Sequence, residues 1–136
     1  MSETITKTKI IASAIGRRKS AVASVRLITG KGEITVNNRS AADYFPGLEA
    51  QMKYESPFKI LELTKYSATV KTHGGGNAGQ LDATILGIAR ALSTLKAEYQ
   101  VAMQHANLLT RDSRERQRRK VGMGGKSRRK KQSPKR

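Results

Sequence analysis

The last 26 residues decide most of what this chain can fold into. From Arg111 to Arg136 there are 13 Lys or Arg against two acids, Asp112 and Glu115, and the only sizeable apolar side chains are Val121 and Met123. Such a segment cannot bury enough apolar surface to offset its chain entropy, so residues 111–136 are expected to be a long basic tail, disordered in isolation. Fully extended, it would reach roughly 85–95 Å and could order only against a surface that neutralises it. Folding is thereby confined to residues 1–110, which hold the other 14 bases and eight acids. Within that stretch residues 1–9 are expected to be disordered, and the rest is read as one globular domain.

The charge names the class of partner. A net charge of +17 and a pI near 10.8 point to a polyanion, nucleic acid before an anionic membrane. Arg dominates the base of the tail (Arg111, Arg114, Arg116, Arg118, Arg119), followed by Lys120 and further out by Arg128 and Arg129. Its planar fork grips phosphate bidentately and stacks on bases, which suits structured RNA. The bland alternatives for such a tail are solubility or a nuclear-targeting address. Cysteine is absent, which excludes disulfides and thiolate metal sites, and two histidines cannot make a histidine-rich one. The longest apolar stretch, Ile10 to Ile15 with Ser13 inside it, is too short to span a bilayer. Glu3 also sits where a signal peptide wants positive charge. A soluble protein of a reducing compartment, with no membrane partner, is expected.

The body reads as mixed α and β. Ala21 to Ile28 alternates, with Ala23, Val25 and Leu27 on one face and Ser24 and Arg26 on the other. The turn signal Thr29-Gly30-Lys31-Gly32 follows, then Ile34 and Val36 alternate again, so the two runs are expected to pair as a β-hairpin. Tyr66 to His73 is a third strand pattern. Ala41 to Phe45 and Leu48 to Tyr54 suggest short helices separated by Pro46-Gly47. A stripe of Leu81, Ile85, Ile88, Leu92 and Leu95 predicts a helix over about 79–95 with Ile85 in the middle of its core face. Asn77 and Gln80 fit a capping box before it, and a second helix is expected over 97–107.

Gly74-Gly75-Gly76-Asn77-Ala78-Gly79-Gln80 lies between a strand and that helix. Bare backbone amides and a helix N-terminus make a plausible phosphate cradle, with a flexible turn as the plain alternative. Gly74 and Gly79 fit the glycines of a nucleotide-binding loop, but Gln80 stands where its lysine belongs. The acids are scattered singly, and neither His73 nor His105 has an evident catalytic partner, so no enzyme is expected and no cofactor.

Five stretches, in order and spacing, resemble one family. Gly16-Arg17-Arg18-Lys19-Ser20-Ala21, the glycine loop 74–80, Gly87-Ile88-Ala89-Arg90-Ala91-Leu92, Leu108-Leu109-Thr110-Arg111-Asp112-Ser113-Arg114 and the terminal Lys135-Arg136 look like the ninth protein of the small ribosomal subunit, bacterial type. The resemblance covers about Ile10 to Arg136. It implies an α+β fold, a small two-layer α/β sandwich with one left-handed βαβ crossover, against the usual handedness. It implies a ribosomal protein bound to small-subunit ribosomal RNA in the head of the particle, among neighbouring head proteins, in the cytoplasm or an organelle. The tail would thread through RNA, with Lys135 and Arg136 approaching the P-site transfer RNA. Arg17, Arg18, Lys19, Gly74, Gly75, Gly76, Gln80, Arg90, Arg111 and Arg114, with the tail cations Arg116, Arg118, Arg119, Lys120, Arg128 and Arg129, are the positions expected to face ribosomal RNA. Gln132-Ser133-Pro134 departs from the family's ending, which commonly has an aromatic residue and then Ser-Lys-Arg. A general nucleic-acid compactor acting off the ribosome would share the charge but not the ordered motifs. A small phosphotransferase would share the glycine loop but lacks the lysine and acids it needs.

Overall fold

Two nine-residue strands begin the fold, β1 (Ile10–Arg18) and β2 (Ala21–Thr29), joined through Lys19-Ser20. Lys19 takes a left-handed φ of 54° to close that turn. The computed structural model describes residues 10–30, 33–62 and 65–115. After β2 come β3 (Ile34–Val36), β4 (Arg39–Ser40), the one-turn helix α1 (Ala41–Tyr44) and α2 (Leu48–Ile60). The chain then returns through β5 (Tyr66–His73) to α3 (Asn77–Ser93) and α4 (Ala97–His105).

The five strands form one mixed sheet in the order β1-β2-β5-β3-β4. The expected β2–β3 hairpin does not form, because β5 lies between those strands. It pairs antiparallel with β2 from Val22↔His73 to Thr29↔Tyr66, and parallel with β3 from Ile34↔Ala68 to Val36↔Val70. Length decides the competition. Eight residues of β5 satisfy β2 along its whole ladder, whereas β3 offers three. The Gly30 turn signal is used differently, its N–H donating to the Lys65 carbonyl at 3.0 Å beside the β2–β5 ladder.

One face of the sheet carries the core. Ala21, Ala23, Val25 and Leu27 of β2 are fully buried, as strand alternation requires, and Ala68 and Val70 of β5 continue the layer. Helix α3 lies over β1 and β2 on this face, with α2 and α4 packed against it. Partners on several sides explain why α3 buries far more than its predicted stripe. Ala83, Thr84, Leu86, Ala89 and Ala91 are buried along with Leu81, Ile88 and Leu92. Ile85, expected at the centre of the core face, is only half-buried and borders a surface cleft. The helix starts at Asn77 with Gly76 as N-cap and no side-chain cap, so the Asn77–Gln80 capping box is not formed. Helix α2 runs past the expected Tyr54 to Ile60 with Pro57 inside it, where Tyr54, Pro57 and Phe58 are buried together. Their burial offsets the helix hydrogen bond that proline gives up.

Candidate nucleic-acid interface

Arg17 and Arg18 are neighbours on β1, and the two-residue period of a strand sends them to opposite faces. Arg17 pairs across the ladder with Val22 and is exposed on the open face of the sheet. Arg18 pairs with the fully buried Ala21 and so lies on the helix side, its side chain 12% exposed.

There the Arg18 guanidinium joins three parts of the molecule. It sits 3.5 Å from the Asp82 carboxylate on α3 and 3.4 Å from that of Asp112, at the start of the tail. It also donates to the backbone carbonyls of Asp112 at 3.3 Å and Arg114 at 2.6 Å. A cation so enclosed is costly to leave unpaired, so these contacts hold the tail's first residues against the body. Arg114 in turn forks over Asp112, with Nε–O and Nη2–O distances of 3.0 and 2.7 Å. The Arg114 side chain, then its backbone N–H, hold the Asp112 carboxyl well below its ordinary value of 3.8. Both cations therefore shape the tail's point of departure, and Arg114 keeps an outward surface because its side chain is 84% exposed.

An open cleft of about 340 Å³ runs beside this clasp, lined by Arg17, Arg18, Ile85, Leu108 and Arg114 among others. It brings the neighbours Arg17 and Arg18 together with Arg114, which is 96 residues beyond Arg18. Arg111 is exposed just before the clasp, and Lys19 is exposed on the β1–β2 turn. Arg90 is committed otherwise: its Nη1 donates to the Ile15 carbonyl of the edge strand at 2.9 Å.

The glycine loop has a structural reason for two of its first three glycines. Gly74 and Gly75 adopt φ of 76° and 64°, a region that favours glycine. A Cβ on Gly74 would also lie 2.6 Å from the Ser20 carbonyl, so the loop is seated on the β1–β2 turn beside Lys19. Gly76 has open space around it and exposes the start of α3. Gln80, in the place of a phosphate-loop lysine, points inward. Its Nε2 donates to the Gly74 carbonyl at 3.1 Å and its Oε1 accepts from the Tyr44 hydroxyl at 2.5 Å. Asn37 extends this network, its side chain bridging Tyr44 and both the carbonyl and hydroxyl of Thr72. Gln80 thus braces the loop against α1.

Two cations outside the predicted set share the open sheet face with Arg17. They are Arg26 on β2 and Lys71 on β5, both exposed. Strand alternation already pointed both outward. Arg116, Arg118, Arg119, Lys120, Arg128, Arg129, Lys135 and Arg136 lie outside the described residues, as do residues 1–9. No helix among the described residues is long and apolar enough to cross a membrane.

Comparison with known proteins identifies the lineage of this arrangement. The family model described as ribosomal protein S9/S16 matches residues 16–136. A Picosynechococcus protein named small ribosomal subunit protein uS9 is 43% identical over 127 residues, covering 90% of this chain and 91% of its own length. The protein of that name from Leifsonia xyli is 44% identical over 113 residues, 82% of this chain and 67% of its own. The matched span starts at Gly16, takes in the clasp and the glycine loop, and runs to the end of the basic tail: the chain belongs to the ribosomal protein S9/S16 family.

Proposed function

We propose that this chain is a structural constituent of the small ribosomal subunit, bound to ribosomal RNA in the head of the particle and touching neighbouring head proteins. As a member of its family it is a ribosomal protein and not an enzyme. The observation that carries the reading is the family match across residues 16–136, which ends on the tail that holds 13 of the chain's 27 cations. The body, residues 1–110, serves as the anchor. The tail, residues 111–136, runs through RNA and brings Lys135 and Arg136 to the P-site transfer RNA.

Within the body, Arg17, Lys19, Arg111 and Arg114 present exposed charge to ribosomal RNA, and Gly74 to Gly76 offer backbone N–H groups at the start of α3. Arg18, Gln80 and Arg90 act one step behind them, as their internal hydrogen bonds support. The parallel β3–β5 pair is where the left-handed crossover of the sandwich belongs. Sedimentation tests the reading. The tagged full chain expressed in cells should travel with small subunits and stay there through a moderate-salt wash. Recovery only in free nucleic-acid fractions would replace it with a compactor working off the ribosome.

A further inference from the structure

The sheet's open face carries a graded row of cations. Strand register places its outward residues in three cross-strand lines: Arg17–Val22–His73, then Ile15–Ser24–Lys71, then Ser13–Arg26–Thr69. Each line contains one permanent cation, and each cation comes from a different strand. Arg17, Lys71 and Arg26 are all exposed, and none is ion-paired among the described residues. None of these nine positions is acidic, and the one ring among them is the His73 imidazole at the end of the first line. The helix-side cation Arg18, one residue from Arg17, is paired twice with carboxylates.

We infer that this face is a docking surface for the sugar–phosphate backbone of folded RNA, gripped by Arg26 and Lys71 together with Arg17. It rests on the ribosomal RNA-binding reading above and deepens it. Lines two residues apart on strands spaced as in any sheet put neighbouring cations roughly 8–14 Å apart, within reach of phosphates along one RNA strand. A single imidazole, His73, at one end of the face makes no series of platforms for unpaired bases, so the contact is to backbone through the three cations. Ile15 and Val22 lie between the cations and can cover sugars. The face is continuous with the tail's origin, since Arg17 lines the same cleft as Arg114. RNA held on the sheet would therefore pass directly to the tail.

The test is a salt titration of the full chain binding purified small-subunit ribosomal RNA. Each phosphate contact contributes roughly 0.7–0.9 to the log–log slope. Replacing Arg26→Thr and Lys71→Thr together, which keeps strand propensity, should lower the slope by roughly 1.4–1.8. Lys53→Gln with Lys59→Gln on α2 removes the same charge from cations already paired with Glu49 and Glu55, and should leave the slope unchanged. An equal drop in both, or none in the strand variant, overturns the inference. A parent chain that binds without salt dependence overturns the RNA-binding reading itself. Because the chain has no cysteine, Ser24→Cys gives a unique attachment point for a photo-crosslinker at the middle of the face. Crosslinks to RNA in assembled subunits support the inference independently of the other variants, whereas crosslinks to protein alone, or none, overturn it.

Discussion

Gly16 of β1 and Gly87 of α3 are in backbone contact. A Cβ on Gly16 would lie 2.5 Å from the Gly87 nitrogen and on top of the Ala83 carbonyl, and one on Gly87 would press 2.6 Å from Val25 Cγ2. The helix thus rests on the sheet with no side chain between them at this point. Gly16→Val should lower the unfolding midpoint by an amount corresponding to about 3 kcal/mol or more, because backbone must move and overpacking alone costs about 1–3 kcal/mol. Gly76→Ala meets open space and should change stability little. Urea unfolding of the two variants compares them directly.

The α3 core can be tested one turn at a time. Ile88 is fully buried, so Ile88→Asp should cost several kcal/mol, on the order of a small domain's entire stability. Ile85→Asp, at the half-buried position beside the cleft, should cost clearly less. Equal losses in thermal unfolding would mean that Ile85 is as enclosed as Ile88.

Arg18 should control the tail's first residues. Arg18→Met removes the guanidinium that holds the Asp112 and Arg114 carbonyls while keeping an apolar stem of similar length. Limited trypsin digestion should then cut after Arg111 and Arg114 several-fold faster than in the parent. Unchanged cleavage would show that the clasp does not restrain the tail.

Asp112 supplies the pH dependence. Its carboxyl is held below 3.8, chiefly by the Arg114 side chain. A depressed carboxylate contributes its contacts at every pH above its ordinary value and loses them only as pH falls through the lower folded-state value. The clasp should therefore persist from neutral pH through 4 and open only in stronger acid. In Arg114→Gln the carboxyl should return toward 3.8, as followed by carbon NMR of the Asp112 side chain.

The terminal pair should matter for transfer RNA and little for assembly. Eleven of the tail's 13 cations precede Lys135 and Arg136, so most of the tail's binding energy should already be supplied before the chain reaches them. Deleting both should leave subunit incorporation unchanged and weaken P-site transfer RNA binding by up to roughly tenfold, about 1.4 kcal/mol. Affinity measured on purified subunits carrying the deletion is the check. Failed incorporation with normal affinity in the remaining subunits would make the tail's end an assembly element.

Several features could be read from the chain without its structure. The Tyr66–His73 strand and the inward face of Ala23, Val25 and Leu27 follow from two-residue alternation, a local property of backbone geometry. The helix over Leu81 to Leu92 follows from its 3.6-residue period, and the basic tail's lack of a core follows from composition alone. Arg26 and Lys71 were equally legible as outward positions. What local pattern could not supply was partnership. Ala21–Ile28 and Ile34–Val36 look like a hairpin because they are adjacent, yet β5 takes the place between them by offering a longer ladder. Ile85 and Ile88 look equivalent on one stripe, and only the arrangement of sheet, α2 and α4 around α3 separates core from cleft. Arg17 and Arg18 look alike as a basic pair, and Gln80 looks like a failed phosphate ligand. Tertiary structure turned Arg18 toward two carboxylates 64 and 94 residues away and Gln80 toward Tyr44, because buried polar groups must find partners wherever the fold brings them.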